Sequence, residues 1–288
     1  MTRMKMSLRL IFYAIKWSKW IVKKNYGAKF IMSFGIENRL SKIFKPESGK
    51  TVMLAVDHGY FQGPTTGLED LRKTLAPLSN LADCLFITRG MLRNCVEKNI
   101  QSSICLRVSG GPSILGELSN EDIVVSLEEA IRLNVSGIGM SIFVGAENED
   151  RTISNLGRLI NEAEKYGMPV LAITAVGREM ARDSRFLGLA CRIAAEIGAR
   201  IVKTYYCEDF YKVVESCPVP IVMAGGTKIP EKDALLMTEN AIKEGASGVD
   251  MGRNIFQSGN PPAMMKAIKA IVHKGADSKE AYDLYSQG

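Results

Sequence analysis

Lys203 sits inside the apolar run Ile201-Val202-Lys203-Thr204-Tyr205. A buried ammonium is costly, so a lysine there is expected to be paired or chemically used. Desolvation lowers its pKa and frees the amine as a nucleophile for a Schiff base. The plain alternative is a lysine whose head group reaches solvent from a strand edge. A second candidate is Asp57, which leaves the apolar run Ala55-Val56 ahead of His58-Gly59. A carboxylate at a strand end can move protons or hold a cation, and an ordinary Asp-x-Gly turn would look the same. The third candidate is a pair of glycine-rich ends, Ala224-Gly225-Gly226-Thr227-Lys228 and Met251-Gly252-Arg253-Asn254. Gly225, Gly226 and Gly252 would let backbone N–H groups approach an anion, and Arg253 would add a fork of donors. Two glycine turns with no ligand are the alternative. Thr88-Arg89-Gly90 and Ser109-Gly110-Gly111-Pro112-Ser113 could line the same opening. A lysine, a carboxylate and an anion cradle together suggest carbonyl chemistry on a phosphorylated small molecule.

Eight short β-branched apolar runs carry these residues on their C-terminal ends. They begin at Thr51, Cys84, Ser103, Gly137, Pro169, Arg200, Val219 and Gly248. Near-continuous apolar strands are buried on both faces, which implies a parallel sheet. Between them lie amphipathic windows of helical period: Leu118–Leu133, with Ser119 as N-cap, Ile153–Tyr166, Phe186–Ile197 and Glu231–Glu244. Gly167, Gly198 and Gly245 each stop a helix before the next strand. Eight β/α units predict an α/β fold, a closed (β/α)8 TIM barrel, with function at the strand C-termini. A doubly wound open sheet is the alternative. Neither a Gly-x-Gly-x-x-Gly fingerprint nor a Gly-x-x-x-x-Gly-Lys-Ser/Thr loop is present, so nucleotide binding by those routes has no support.

The chain's 288 residues suit one large catalytic domain, residues 36–288, behind an N-terminal extension, residues 1–35. The formal charge is +6, but residues 1–30 hold eight basic side chains and no acid. The remainder is slightly acidic, so bulk charge does not imply nucleic acid. Leu8–Val22 predicts a basic amphipathic helix, too charged to span a membrane. It could pack on the barrel or a neighbouring subunit, act at a membrane surface or in targeting, or be absent if translation begins at Met4, Met6 or Met32. Six cysteines without a Cys-x-x-Cys pair and only two histidines argue against a zinc site; no metal is expected. The cysteines read as small buried hydrophobes of a reducing, cytoplasmic compartment, Cys207 included.

The segments around Asp57, Lys203, Gly225-Gly226 and Gly248–Arg253 resemble the class I aldolases of the DeoC/FbaB type. The likeness runs from about residue 36 to the C-terminus. It is closest to the thiolase branch, through Gly49–Ala55, Asp57–Glu69, Lys203–Tyr206 and Gly245–Gln257. The resemblance implies a TIM barrel in a large homo-oligomer, a decamer. It implies Lys203 as Schiff-base lysine, Asp57 as the acid/base of the first strand, and phosphate held by Gly225, Gly226, Gly252 and Arg253. The implied reaction, in autoinducer-2 degradation, takes 3-hydroxy-5-phosphonooxypentane-2,4-dione and coenzyme A to dihydroxyacetone phosphate and acetyl-CoA. Coenzyme A is then a co-substrate, with no cofactor bound. The family places a tyrosine in its fourth strand, in Tyr-x-Gly-Ser; here the run is Phe143-Val144-Gly145-Ala146. Phe143 has no hydroxyl to move a proton, and Tyr205 or Asp57 could stand in. Two alternatives stay open: an aldolase acting on a dihydroxyacetone phosphate-type sugar phosphate without coenzyme A, and a barrel that binds sugar phosphate without turnover.

Overall fold

The computed structural model describes residues 33–176 and 182–288. Eight parallel strands close into a barrel: β1 (Thr51–Ala55), β2 (Cys84–Thr88), β3 (Ser103–Arg107), β4 (Gly137–Val144), β5 (Val170–Val176), β6 (Ile201–Tyr205), β7 (Ile221–Ala224) and β8 (Gly248–Met251). They lie in chain order around the ring, and β1 pairs with both β2 and β8. All eight expected runs are strands, and the barrel excludes the open sheet. The basic helix expected at Leu8–Val22 lies outside the described residues. The first described helix, α1 (Phe34–Ile43), spans the boundary expected at residue 35.

Period-two alternation sorts each strand into two faces. In β4, Ile138, Met140, Ile142 and Val144 join the large core between the strands and the helix ring. The intervening Gly139, Ser141 and Phe143 therefore point into the barrel. The floor is a separate apolar cluster of Met53, Cys84, Phe86, Cys105, Leu171, Ile201 and Val222. Ile43 and Phe44, at the end of α1, join this cluster and plug the barrel from below. Above this floor, three strands place a charged residue inside the barrel: Lys203 on β6, Asp250 on β8 and Arg107 on β3. Apolar floor and polar mouth thus come from one strand register.

The helix windows at Ile153–Tyr166, Phe186–Ile197 and Glu231–Glu244 are helices at Glu149–Lys165, Ser184–Ile197 and Glu231–Lys243. Gly167, Gly198 and Gly245 take φ of 60°, 115° and 106° at the stops. The window Leu118–Leu133 is corrected. Its helix is only Leu127–Arg132, and Ser126 rather than Ser119 caps it. Asp122–Ile123 pair antiparallel with Ser109–Gly110 instead, and Glu121 is buried at Arg107. An ion pair and a small ribbon outweigh helical period there, because Glu121 has a buried cation to meet.

On the opposite face of the barrel, the fully buried Asp83 binds the helix Pro261–Lys274 to the barrel. Its oxygens lie 2.8 Å from Lys269 Nζ and 2.7 Å from His273 Nε2, and accept the Val52 N–H at 2.8 Å. Burial raises the Asp83 pKa, but His273, Lys269 and the Val52 N–H outweigh it and hold the carboxyl below the usual value.

Candidate active site

Lys203 points into the barrel near its mouth and is 9% exposed. Its Nζ lies 2.8 Å from Asp250 Oδ2 and 5.2 Å from the Phe86 ring centroid. Asp250 is 1% exposed, and neither of its oxygens has a well-directed hydrogen bond among the described residues: Oδ2 is ion-paired with Lys203, whereas Oδ1 meets no partner. Burial works to lower the Lys203 pKa, as the sequence led us to expect, but Asp250 and then Asp57 outweigh it and leave the pKa raised. The expectation of a lowered pKa is therefore corrected. The resting side chain is an ammonium, and the amine must surrender a proton before it attacks a carbonyl. The edge alternative fails, because the head group is enclosed and paired.

Asp57 lies just beyond β1 and accepts a 3.0 Å hydrogen bond from Arg107 Nη1. Arg107 is buried at the centre of a network. Its Nη2 donates to Glu121 Oε1 and Oε2 at 2.8 Å, to Ser141 Oγ at 2.7 Å and to the Tyr60 hydroxyl at 2.5 Å. Tyr60 donates in turn to Glu121. Burial opposes the Arg107 charge, but Glu121, Tyr60 and Asp57 outweigh it and raise its pKa. Burial lifts the Tyr60 phenol well above its usual range, and Glu121 adds to that against the opposing pull of Arg107. The wall beside Lys203 is therefore a fixed cation flanked by carboxylates.

The two glycine loops meet on the opposite side of the mouth. Asn254, 1% exposed, joins them: its Nδ2 donates to Gly225 O at 2.7 Å and Thr227 O at 3.2 Å, and its Oδ1 accepts the Ile229 N–H at 2.9 Å. The glycines differ in cause. A Cβ on Gly252 would lie 2.3 Å from Ala55 O, and one on Gly225 2.9 Å from Met251, so packing requires both. Gly226 has φ +70° and open space around its missing side chain. It is the position that a ligand could approach. Arg253 starts the short helix Arg253–Phe256, and no carboxylate pairs with it among the described residues. His58 stacks on Phe256 with centroids 5.6 Å apart, and its Nε2 has no hydrogen-bond partner. Burial pushes its pKa down to about 4, against the pull of Asp57 and with the help of Arg253 and Lys203.

Phe143 lies on the same inward face as Ser141, at the mouth, at the position where the resemblance led us to expect a tyrosine. Tyr205 shares the Lys203 face one step higher, with the Arg182 guanidinium 4.1 Å from its ring. Cys207 belongs to the outer core, and burial raises its thiol to about 11, which leaves no thiolate near neutrality. Sequence reasoning missed Asp250, Arg107, Glu121, Tyr60 and Asn254. Asp250 and Arg107 carried the same signal as Lys203, a charge inside an apolar strand. Glu121 was hidden by a helical pattern that the chain does not follow.

A closed parallel barrel with a lysine inside its mouth and paired glycine loops after β7 and β8 defines the aldolase-type class of TIM-barrel enzyme. Residues 51–258 match the DeoC/LacD family aldolase domain, and the chain belongs to that family. It is 53% identical over 257 residues to the 3-hydroxy-5-phosphonooxypentane-2,4-dione thiolase of Enterobacter sp. (strain 638), covering 89% of this chain and 87% of that one. The protein of the same name from Escherichia coli (strain K12) is 53% identical over 255 residues, covering 88% of each chain. Among solved structures, the fold resembles an archaeal fructose-1,6-bisphosphate aldolase whose catalytic Lys is covalently bound to the carbinolamine intermediate of the substrate. That match has a TM-score of 0.74 and 26% identity, over 82% of this chain and 98% of that one.

Proposed function

We propose that the chain is a thiolase of the class I aldolase family. It would take 3-hydroxy-5-phosphonooxypentane-2,4-dione and coenzyme A to dihydroxyacetone phosphate and acetyl-CoA, in autoinducer-2 degradation. The observation that carries this reading is the enclosed Lys203–Asp250 pair, in a chain 53% identical to proteins named for that activity. Lys203 forms an iminium with the ketone next to the phosphate-bearing carbon. The coenzyme A thiolate adds to the acetyl carbonyl, and as that carbonyl re-forms the bond between the acetyl carbon and the hydroxyl-bearing carbon breaks, its electrons passing into the iminium to give an enamine and acetyl-CoA. The enamine carbon takes a proton, and water releases dihydroxyacetone phosphate from Lys203. Asp57, held by Arg107, serves the proton transfers at that carbon. Gly226 and Arg253, with Gly225 and Gly252 shaping the loops, hold the phosphate and fix the reacting carbons. Coenzyme A is a co-substrate on this reading. A cytoplasmic location, a large homo-oligomer and a catalytic domain of residues 36–288 complete the proposal on the strength of the family resemblance. No helix among the described residues is long and apolar enough to cross a membrane.

The test is mass spectrometry after incubation with dihydroxyacetone phosphate and borohydride, with Lys203→Met as control. A phosphorylated adduct on Lys203 and acetyl-CoA release from the dione are expected. An adduct without acetyl-CoA release would favour the sugar-phosphate aldolase instead, the activity named for the solved relative. Ligand binding with no adduct would refute the Schiff base.

A further inference from the structure

Imine formation requires an acid and a base in contact with the lysine, and the barrel offers few. The titratable groups facing Lys203 are Asp250 from β8, Asp57 and His58 beyond β1, Cys84 from β2, Cys105 and Arg107 from β3, and Tyr205 from β6. Asp57 is committed to Arg107 at 3.0 Å. Burial pushes the thiol of Cys84 to about 12 and that of Cys105 well above its ordinary value, so neither accepts a proton. Among these groups, Asp250 is the one ion-paired with Lys203, at 2.8 Å. Its Oδ1 is buried and unpartnered. An unsatisfied buried carboxylate oxygen beside a reactive amine is costly unless a bound group meets it.

We infer that Asp250 is a catalytic acid–base residue for imine formation at Lys203, with Oδ1 meeting the hydroxyl of the carbinolamine. This deepens the Schiff-base reading above and rests on it. When a substrate ketone arrives, the Lys203 ammonium passes a proton to Asp250. The freed amine attacks, the N–C bond forms, and the carbonyl π bond breaks. The oxygen takes the proton that nitrogen loses, which gives a neutral carbinolamine beside a protonated Asp250. Asp250 then donates its proton to the carbinolamine hydroxyl, the C–O bond breaks, and water leaves. The products are an iminium cation and the Asp250 carboxylate. A cation faces the same carboxylate at the start and at the end, so the step creates no net charge in the dry barrel. Burial raises the proton affinity of Asp250 against the pull of Lys203, as a proton carrier in this position requires.

The test is rapid-quench borohydride trapping with dihydroxyacetone phosphate on wild type, Asp250→Asn and Asp250→Ala. Thermal melting shows whether each variant is folded, and calorimetry gives its affinity for inorganic phosphate. Asp250→Asn keeps the shape and removes the proton acceptor. Its trapping rate is expected to fall by about 100-fold or more, with phosphate affinity within about threefold of wild type. Added formate is expected to accelerate trapping in Asp250→Ala in proportion to its concentration. Wild-type trapping rates in Asp250→Asn overturn the inference. Slow trapping with no formate response in a folded Asp250→Ala also overturns it, because a carboxylate that only shapes the pocket behaves that way. If Asp250→Ala does not fold, the pH profile of Asp250→Asn decides: a profile parallel to wild type overturns the inference. No adduct on wild type refutes the Schiff-base reading itself, and is thereby distinguished from a failure of Asp250.

Discussion

Protonation of His58 should cost the folded state a measurable amount. The ring is packed on Phe256, its Nε2 has no partner, and its pKa is held near 4 against an ordinary 6.5. Between these values the unfolded chain binds a proton that the folded chain refuses. The His58 contribution is therefore complete above pH 6.5 and declines as pH falls toward 4. At about 1.4 kcal/mol per pKa unit, the full loss is about 3 to 4 kcal/mol, with a slope of about 1 kcal/mol per pH unit at pH 5.5. The assay is urea unfolding of wild type and His58→Gln at intervals from pH 4.5 to 8. Glutamine cannot titrate, so the difference between the two curves isolates His58 from His273 and from the carboxylates. Wild type should lose stability relative to the variant as pH falls below 6.5. Parallel curves would refute the reasoning, as would a His58 imidazole resonance titrating near 6.5. The chain has only two histidines, so the resonances are readily assigned with the variant.

Asn254→Ala removes the side chain that joins the loops after β7 and β8. Affinity for dihydroxyacetone phosphate by calorimetry should weaken about tenfold or more, with a stability loss of about 2 kcal/mol. Unchanged affinity would mean that these loops do not form the phosphate cradle. Asp83→Ala leaves Lys269 and the Val52 N–H without their buried partner, and should cost about 3–5 kcal/mol in urea unfolding at pH 7. Because the folded pKa of Asp83 is depressed, this contribution is present above pH 4 and fades as pH falls further. The gap between wild type and variant should therefore narrow in acid, and a constant gap down to pH 3 would contradict it.

The sequence by itself determined the number and place of the strands. Eight apolar runs, too short for helices and too continuous for one-sided sheets, call for a parallel sheet covered by helices; that it closes as a barrel and not as an open sheet is decided by the pairing of β1 with β8. It also marked Lys203, because a charge within such a run must be enclosed with a partner or used. Tertiary structure decided what the partner is. Lys203 and Asp250 are 47 positions apart in the chain, and only closure of the barrel brings them to 2.8 Å. Arg107 draws Asp57, Tyr60, Glu121 and Ser141 together from three different strand ends, and in doing so cancels a helix that local period favoured. The Lys203–Asp250 pairing reverses the expected pKa of Lys203. Desolvation can be anticipated from an apolar run, but a compensating carboxylate from across the barrel cannot. Periodicity is a local property, whereas the field at a buried charge is the sum over neighbours that folding alone assembles.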